Sequence, residues 1–346
     1  MKLVVEQGLW TTGQPVAAPP AVAVLEVAGA VLAWTVDDPH APVAVTFTDV
    51  GAADWLWRAL GEAGHVSIVE ALSGRPAHTA AAVDLVDVHW AAAALAPLRR
   101  LALGHWLRRW WPASVRDGIA ELDAAVLDAE IAALTAAAEE FFAGDTFDSD
   151  VSGLLEPHRA SLAALMADGD PRVAALVDSV SEWVDLDEIP AQRRQHDYAL
   201  AAGAARGQRP GTIASGTGSI PWSAVPPRVF DAAEDTVSWV VTAAAGVVRA
   251  EIRTEPIGPA NGIPVRFDGA DGVLDEQGRA TVDLAVSESA AWDRDWSSAV
   301  TTVGGPADPG DTREVRDRLR TFARARLAGP AGDAFLAEIL AAESDY

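Results

Sequence analysis

The spacing of apolar residues changes character several times along this chain. Over the first fifty residues it favours strands. Ala21–Val27 and Val31–Asp37 are apolar, β-branched runs joined by Ala28-Gly29-Ala30, a composition that suits a tight hairpin. Pro42–Val50 alternates at Val43, Val45 and Phe47 and predicts a further strand. Gly51–Leu60 reads as a helix and His65–Ala71 (H-V-S-I-V-E-A) as another strand. Residues 1–90 are therefore expected to form a small α+β or mostly β unit.

Over 91–205 the period becomes helical. Ala91–Trp111 places Leu103, Trp106, Leu107 and Trp110 at i, i+3, i+4 and i+7, and Pro112 ends it because proline cannot continue the backbone ladder. Ile119–Phe142 carries a stripe of Ile119, Leu122, Val126, Ala129, Ala133 and Ala137, stopped by Gly144. Shorter helices are predicted at 153–167, 171–186 and 190–203. Residues 206–218, rich in Gly, Ser and Thr, read as a linker.

Strand periodicity returns over 219–305, at Thr236–Thr242, Gly246–Thr254, Ile263–Phe267, Arg279–Val286 and Ala299–Val303. Turn signals separate these runs, Asp271-Gly272 among them, and short strands at this spacing predict a β-sandwich-like domain. In 306–346, Asp311 and Glu314 resemble a capping box before a helix that Gly329-Pro330 breaks, and a last helix follows through Phe335, Leu336, Ile339 and Leu340. The predicted class is α+β and multidomain: a small N-terminal unit, a central helical block, a β-sandwich-like domain and a C-terminal helical tail.

Charge adds an organisation that periodicity does not show. The net charge is −24, which disfavours nucleic acid and anionic membranes as partners. Residues 117–190 hold 18 acidic side chains against Arg159 and Arg172, and arginine-bearing segments flank that block on both sides. This sorting suggests surfaces that mate, with another protein, with a second copy or within the chain. No cysteine is present, no apolar run reaches the ~20 residues of a bilayer span, and Met1–Gln7 does not read as a secretory leader. A cytoplasmic protein is expected, and arginine in place of all but one lysine suggests GC-rich bacterial coding.

The catalytic vocabulary is thin. The sole lysine, Lys2, lies far from any glycine-rich turn, which excludes a P-loop and lysine Schiff-base chemistry. Seven histidines are scattered without an i, i+4 pair. Asp148-x-Asp150-x-Ser152-Gly153 resembles the opening of an EF-hand calcium loop, but Arg159 stands where that loop needs its bidentate glutamate and Pro157 falls inside it. No catalytic residue, metal site or cofactor is predicted.

Candidate partner-binding residues come from two side-chain types that dominate interface hot spots, Trp and Arg. The segment Arg99–Trp111 interleaves them at Arg99, Trp106, Arg109 and Trp110; its alternative reading is a core helix whose arginines pair with the acidic helices after it. Arg313, Arg316, Arg320 and Arg324 follow i, i+3, i+7, i+11 and form one ridge. Trp292 and Trp296 bracket a turn-rich W-D-R-D-W segment. The expected function is a non-enzymatic scaffold or adaptor in a bacterial assembly. The alternatives are a hydrolase, possibly metal-assisted, built from dispersed Asp, Glu and His, and a small-ligand module using Trp292 and Trp296.

Overall fold

Alternating burial builds the first sheet. A computed structural model describes residues 1–13, 16–75, 82–142, 151–167, 169–183 and 211–344. Strands β1 (Lys2–Glu6), β2 (Leu9–Thr11), β3 (Val22–Val27), β4 (Ala30–Thr35), β5 (Ala44–Phe47) and β6 (Val83–Asp84) pair antiparallel in the order β3-β4-β5-β2-β1-β6. Val27 pairs with Ala30, so Ala28-Gly29 is the whole hairpin turn. Gly29 has φ +72°, and a Cβ there would lie 2.0 Å from the Asp49 carbonyl oxygen, so only glycine fits.

Residues 65–71 are helical, not extended. They belong to α1 (Leu56–Leu72), which kinks at Gly61 (φ 74°) and buries Leu56, Ala59, Gly64, Ile68 and Leu72. The Val66/Ile68 alternation satisfies both periods over so short a run, and the burial of Ile68 with Leu72 one turn on selects the helix. Helix α2 (Ala92–Trp110) buries Leu95, Leu98, Leu101, Leu103, Trp106 and Leu107. Helix α3 (Ala124–Phe142) starts five residues later than its apolar stripe predicts, because the Asp123 carboxylate accepts the backbone N–H groups of Ala125 and Val126 at 2.9 and 3.1 Å and caps it there. Ile119 instead bridges to Ser114.

Against α3 pack α4 (Val151–Leu155), α5 (Arg159–Ala167), α6 (Pro171–Ser179) and α9 (Leu336–Ser344), with Ala125, Ala129, Leu155, Leu162, Val173 and Val177 in the shared core. The helix predicted at 190–203 lies outside the described residues.

A second core is built from two sheets. Strands β7 (Thr212–Gly218), β8 (Val237–Ala244), β9 (Val247–Arg253) and β12 (Arg279–Leu284) form one in the order β12-β9-β8-β7; β10 (Pro264–Phe267), β11 (Ala270–Val273) and β13 (Thr301–Val303) form the other in the order β11-β10-β13. Trp239, Val241, Ala250, Ile252, Phe267, Val282 and Trp296 belong to one buried cluster across both.

Strand β7 overturns the expected linker over its described part. The small residues that mimic a linker are there because Gly216 lies opposite Trp239, whose ring would meet a Cβ at 2.4 Å. Asp271-Gly272 is likewise strand, and the turn falls at Asp268-Gly269, where both residues have positive φ as a two-residue hairpin requires. Helices α7 (Glu288–Asp293) and α8 (Arg313–Ala328) follow. Thr312 caps α8 by accepting the Val315 N–H at 3.3 Å, and the predicted Asp311–Glu314 box does not form.

The architecture is mixed α+β with a helical C-terminal end. By contacts the chain divides into two units: Met1–Trp111, Leu122–Arg194 and Ala325–Tyr346 in the first, Pro112–Glu121 and Gln195–Arg324 in the second. Among the described residues no helix is long and apolar enough to cross a membrane.

Candidate functional site

Helix α8 carries Arg313, Arg316, Arg320 and Arg324 along one side, but only the outer two, Arg313 and Arg324, are exposed. Arg316 and Arg320 are only 6% and 4% exposed. Arg316 forks onto Glu234, with Nε 2.8 Å from Oε1 and Nη2 3.1 Å from Oε2, while its Nη1 donates to Asp311 Oδ1 at 2.8 Å. Arg320 reaches Glu234 Oε1 at 3.0 Å, Asp117 Oδ2 at 3.2 Å and Asp317 Oδ1 at 3.1 Å. Arg324 pairs with Asp117 Oδ1 at 3.1 Å. The expectation of a partner-facing row is therefore corrected for Arg316 and Arg320. Asp311 and Asp317 are close in sequence, but Glu234 and Asp117 are brought in from distant segments, which helical spacing cannot reveal.

Burial alone would raise the Glu234 pKa, but hydrogen bonds from Arg316, Ser219 and Arg320 overcome it and hold the carboxyl at about 2. A depressed carboxylate stabilises fully above its ordinary pKa, and that contribution is lost as pH falls through the window below about 4.5 toward 2. Hydrogen exchange of β8 and β9 in the full chain is thus expected to quicken as pH drops through this window, after correction for intrinsic exchange. Glu234→Gln should flatten the dependence; an equal slope in both proteins would show that Glu234 is not the group responsible.

Around this network lies a cleft of about 370 Å³ lined by Arg116, Asp117, Ala233, Glu234, Arg313, Asp317 and Arg320. Asp231 anchors the segment that brings Arg116 there: its Oδ2 accepts the Val115 N–H at 2.8 Å, and its Oδ1 accepts the Ala233 N–H at 2.9 Å. Arg116 Nη1 contacts the Glu234 and Asp235 carbonyls and Glu255 Oε1 at 3.2–3.4 Å, and Arg313 Nη2 reaches Asp235 Oδ2 at 3.4 Å. Among the described residues the lining is almost wholly charged and presents no hydroxyl nucleophile.

No family model, curated protein or solved structure matches this chain. Its own side chains must carry the functional argument.

In the first unit the arginines of α2 meet the acids of α3, as the core-helix alternative required. Arg108 Nε lies 2.9 Å from Asp128 Oδ1, and Arg100 Nη2 3.7 Å from Glu130. Trp106 is buried and donates its Nε1–H to the Pro20 carbonyl at 2.6 Å, so it is a core residue and not a docking one. Arg99 stays half-buried, and Arg109 stacks 4.1 Å over the half-buried Trp110.

Asp128 Oδ2 also accepts from His158 Nε2 at 2.9 Å, and among the described residues no hydroxyl bonds to that imidazole. Burial, with Arg108 nearby, pushes the His105 pKa down, partly offset by Asp128. Glu130 is pushed up by burial, against the pull of the Leu336 and Ala337 N–H groups that it caps at 2.7 and 3.1 Å. Among the described residues no group of three or more His, Asp or Glu is placed to hold a metal ion. Asp148 and Asp150 lie outside the described residues, while Ser152–Leu155 are helical and not an open calcium loop.

The W-D-R-D-W tryptophans part company. Trp296 is buried, donates to the Ala291 carbonyl at 2.8 Å and stacks on Phe267 with centroids 6.2 Å apart. Trp292 keeps 53% of its surface exposed. Sequence reasoning missed its counterpart in the first unit, Trp57, which is 51% exposed with Arg58 stacked 4.9 Å over its ring. Trp57 falls between the buried Leu56 and Ala59 in the first part of α1, ahead of the kink at Gly61.

Proposed function

We propose that this chain is a non-enzymatic protein-interaction component, a scaffold or adaptor in a larger assembly. The observation that carries the reading is the exposure of Trp57 and Trp292 at 51% and 53%, on a molecule whose other aromatics largely serve its cores. Covering half of a tryptophan is worth about 2–3 kcal/mol at the usual return per area, so a partner that buries either ring gains substantially. The stacked Arg58 beside Trp57 adds a side chain of the type that recurs with tryptophan at hot spots. Among the described residues the hydrolase alternative rests on the Asp128–His158 pair, without a nucleophile bonded to it.

Photo-crosslinking groups placed at positions 57 and 292 of the full chain test the proposal in the native cell. A defined partner, or a second copy of the chain, is expected to be captured at one position or both, and Trp→Ala at that position should reduce recovery about tenfold or more. A chain that sediments as a monomer and gives no product at either position ends the proposal.

A further inference from the structure

The charged cleft of the second unit has an imbalance in its hydrogen-bonding groups. Its inner carboxylates are fully engaged. Asp117 Oδ1 and Oδ2 are taken by Arg324 and Arg320, at 3.1 and 3.2 Å. Glu234 Oε1 receives both Arg316 and Arg320, and its Oε2 receives Arg316. The rim arginines are not engaged to the same degree. Arg116 uses Nη1 alone for all three of its acceptors, and Arg313 uses Nη2 alone. Among the described residues, Arg116 Nε and Nη2 and Arg313 Nε and Nη1 have no acceptor.

Both rim arginines are also weakly held. Their carboxylate contacts are 3.4 Å long and half-exposed, against 2.8–3.2 Å for the buried Arg316 and Arg320 pairs with Glu234, Asp311 and Asp117. Long exposed pairs of this kind exchange partners at little cost, whereas a planar guanidinium gains most from a bidentate carboxylate. The third carboxylate of the lining, Asp317, is 74% exposed and pairs through Oδ1 alone, so among the described residues four unused arginine nitrogens stand against one unused carboxylate oxygen. Among the described residues Ala233 is the only apolar one in the cleft lining, which offers no apolar walls of the kind that hold a small organic ligand.

We infer that this cleft takes the carboxylates of an acidic peptide segment on a protein partner, with Arg116 and Arg313 as the two forks that grip it. The inference rests on the protein-interaction reading above and names the chemistry of one partner. The chain's net charge of −24 does not forbid it, because at physiological salt charges are screened beyond about 8 Å and the rim acts locally.

The test is fluorescence anisotropy of a labelled hexaglutamate peptide on the full chain, beside hexaglutamine and with inorganic phosphate as a separate probe. Hexaglutamate is expected to bind, to weaken as salt rises and to lose about tenfold or more in affinity in Arg116→Gln/Arg313→Gln, with no change in Arg266→Gln, an exposed paired arginine elsewhere on the same unit. Circular dichroism and the urea midpoint check that the double variant folds; should it not, the single Arg→Lys variants replace it, keeping the charge while removing the fork, and must each weaken binding. Equal affinity for the two peptides, or an unchanged double variant, overturns the inference. Phosphate bound with the same arginine dependence while hexaglutamate is not would make this a free-anion site and overturns it also. Cross-links at 57 or 292 that persist in the double variant while hexaglutamate fails to bind would remove this site and leave the interaction reading standing.

Discussion

Arg316→Met is expected to lower the stability of the second unit by about 3–5 kcal/mol, the usual effect of removing one partner from a buried ion pair. The cost comes from what is left behind. Glu234 and Asp311 are both drawn into the protein by this guanidinium, and Asp311 keeps only Ser223, whose N–H and Oγ lie at 2.7 and 2.8 Å. Arg316→Lys should recover only part of the loss, since an ammonium cannot fork onto Glu234 while also holding Asp311. Hydrogen exchange of β8 and β9 and urea unfolding of the full chain measure the effect. A change below about 1 kcal/mol would mean that these carboxylates find water once Arg316 is gone, and that the network is surface chemistry after all.

Phe335→Ala is expected to cost about 3–5 kcal/mol in the first unit, the range for emptying a fully buried aromatic site. Phe335 has no exposed surface and lies so close to Gly104 of α2 that a Cβ there would be 3.1 Å from its ring. Arg100 stacks over it at 5.2 Å, and its N–H donates to Glu338 Oε2 at 2.9 Å. The side chain therefore fills the space that Gly104 leaves open, at the residue that begins the turn into α9. Loss of α9 protection should accompany the loss of stability, because Glu130 and Glu338 hold the start of that helix only while Phe335 seats it. A variant that unfolds at the wild-type midpoint with α9 still protected would contradict this.

The two results bear on how much of this fold was legible in one dimension. The β3–β4 hairpin, strands β8, β9, β10, β12 and β13, and helices α2 and α8 follow from local period and turn chemistry, and they appear where those signals place them, give or take end residues. The errors have identifiable physical causes. Residues 65–71 satisfied two periods at once, Asp123 outcompeted an apolar stripe for the start of α3, and β7 carries glycine because Trp239 occupies the space of a side chain.

Of the candidate site, spacing put four arginines along α8, whereas the segment read as turn-rich holds Trp292 in α7, with 53% of its surface exposed. It could not say that Arg316 and Arg320 are buried, that Trp106 and Trp296 belong to cores, or that Arg116 shares a cleft with Arg313.

The chain's order of residues by itself determined many of the helices and strands, the sorting of charge into blocks, and the absence of cysteine from the chain, since each depends on neighbours within a few positions or on composition alone. Only the tertiary structure decided which charges are structural and which remain available. A Coulombic or hydrogen-bonding energy depends on separation and on the surrounding dielectric, and both are set by where Glu234, Asp311 and Asp117 come to rest after folding.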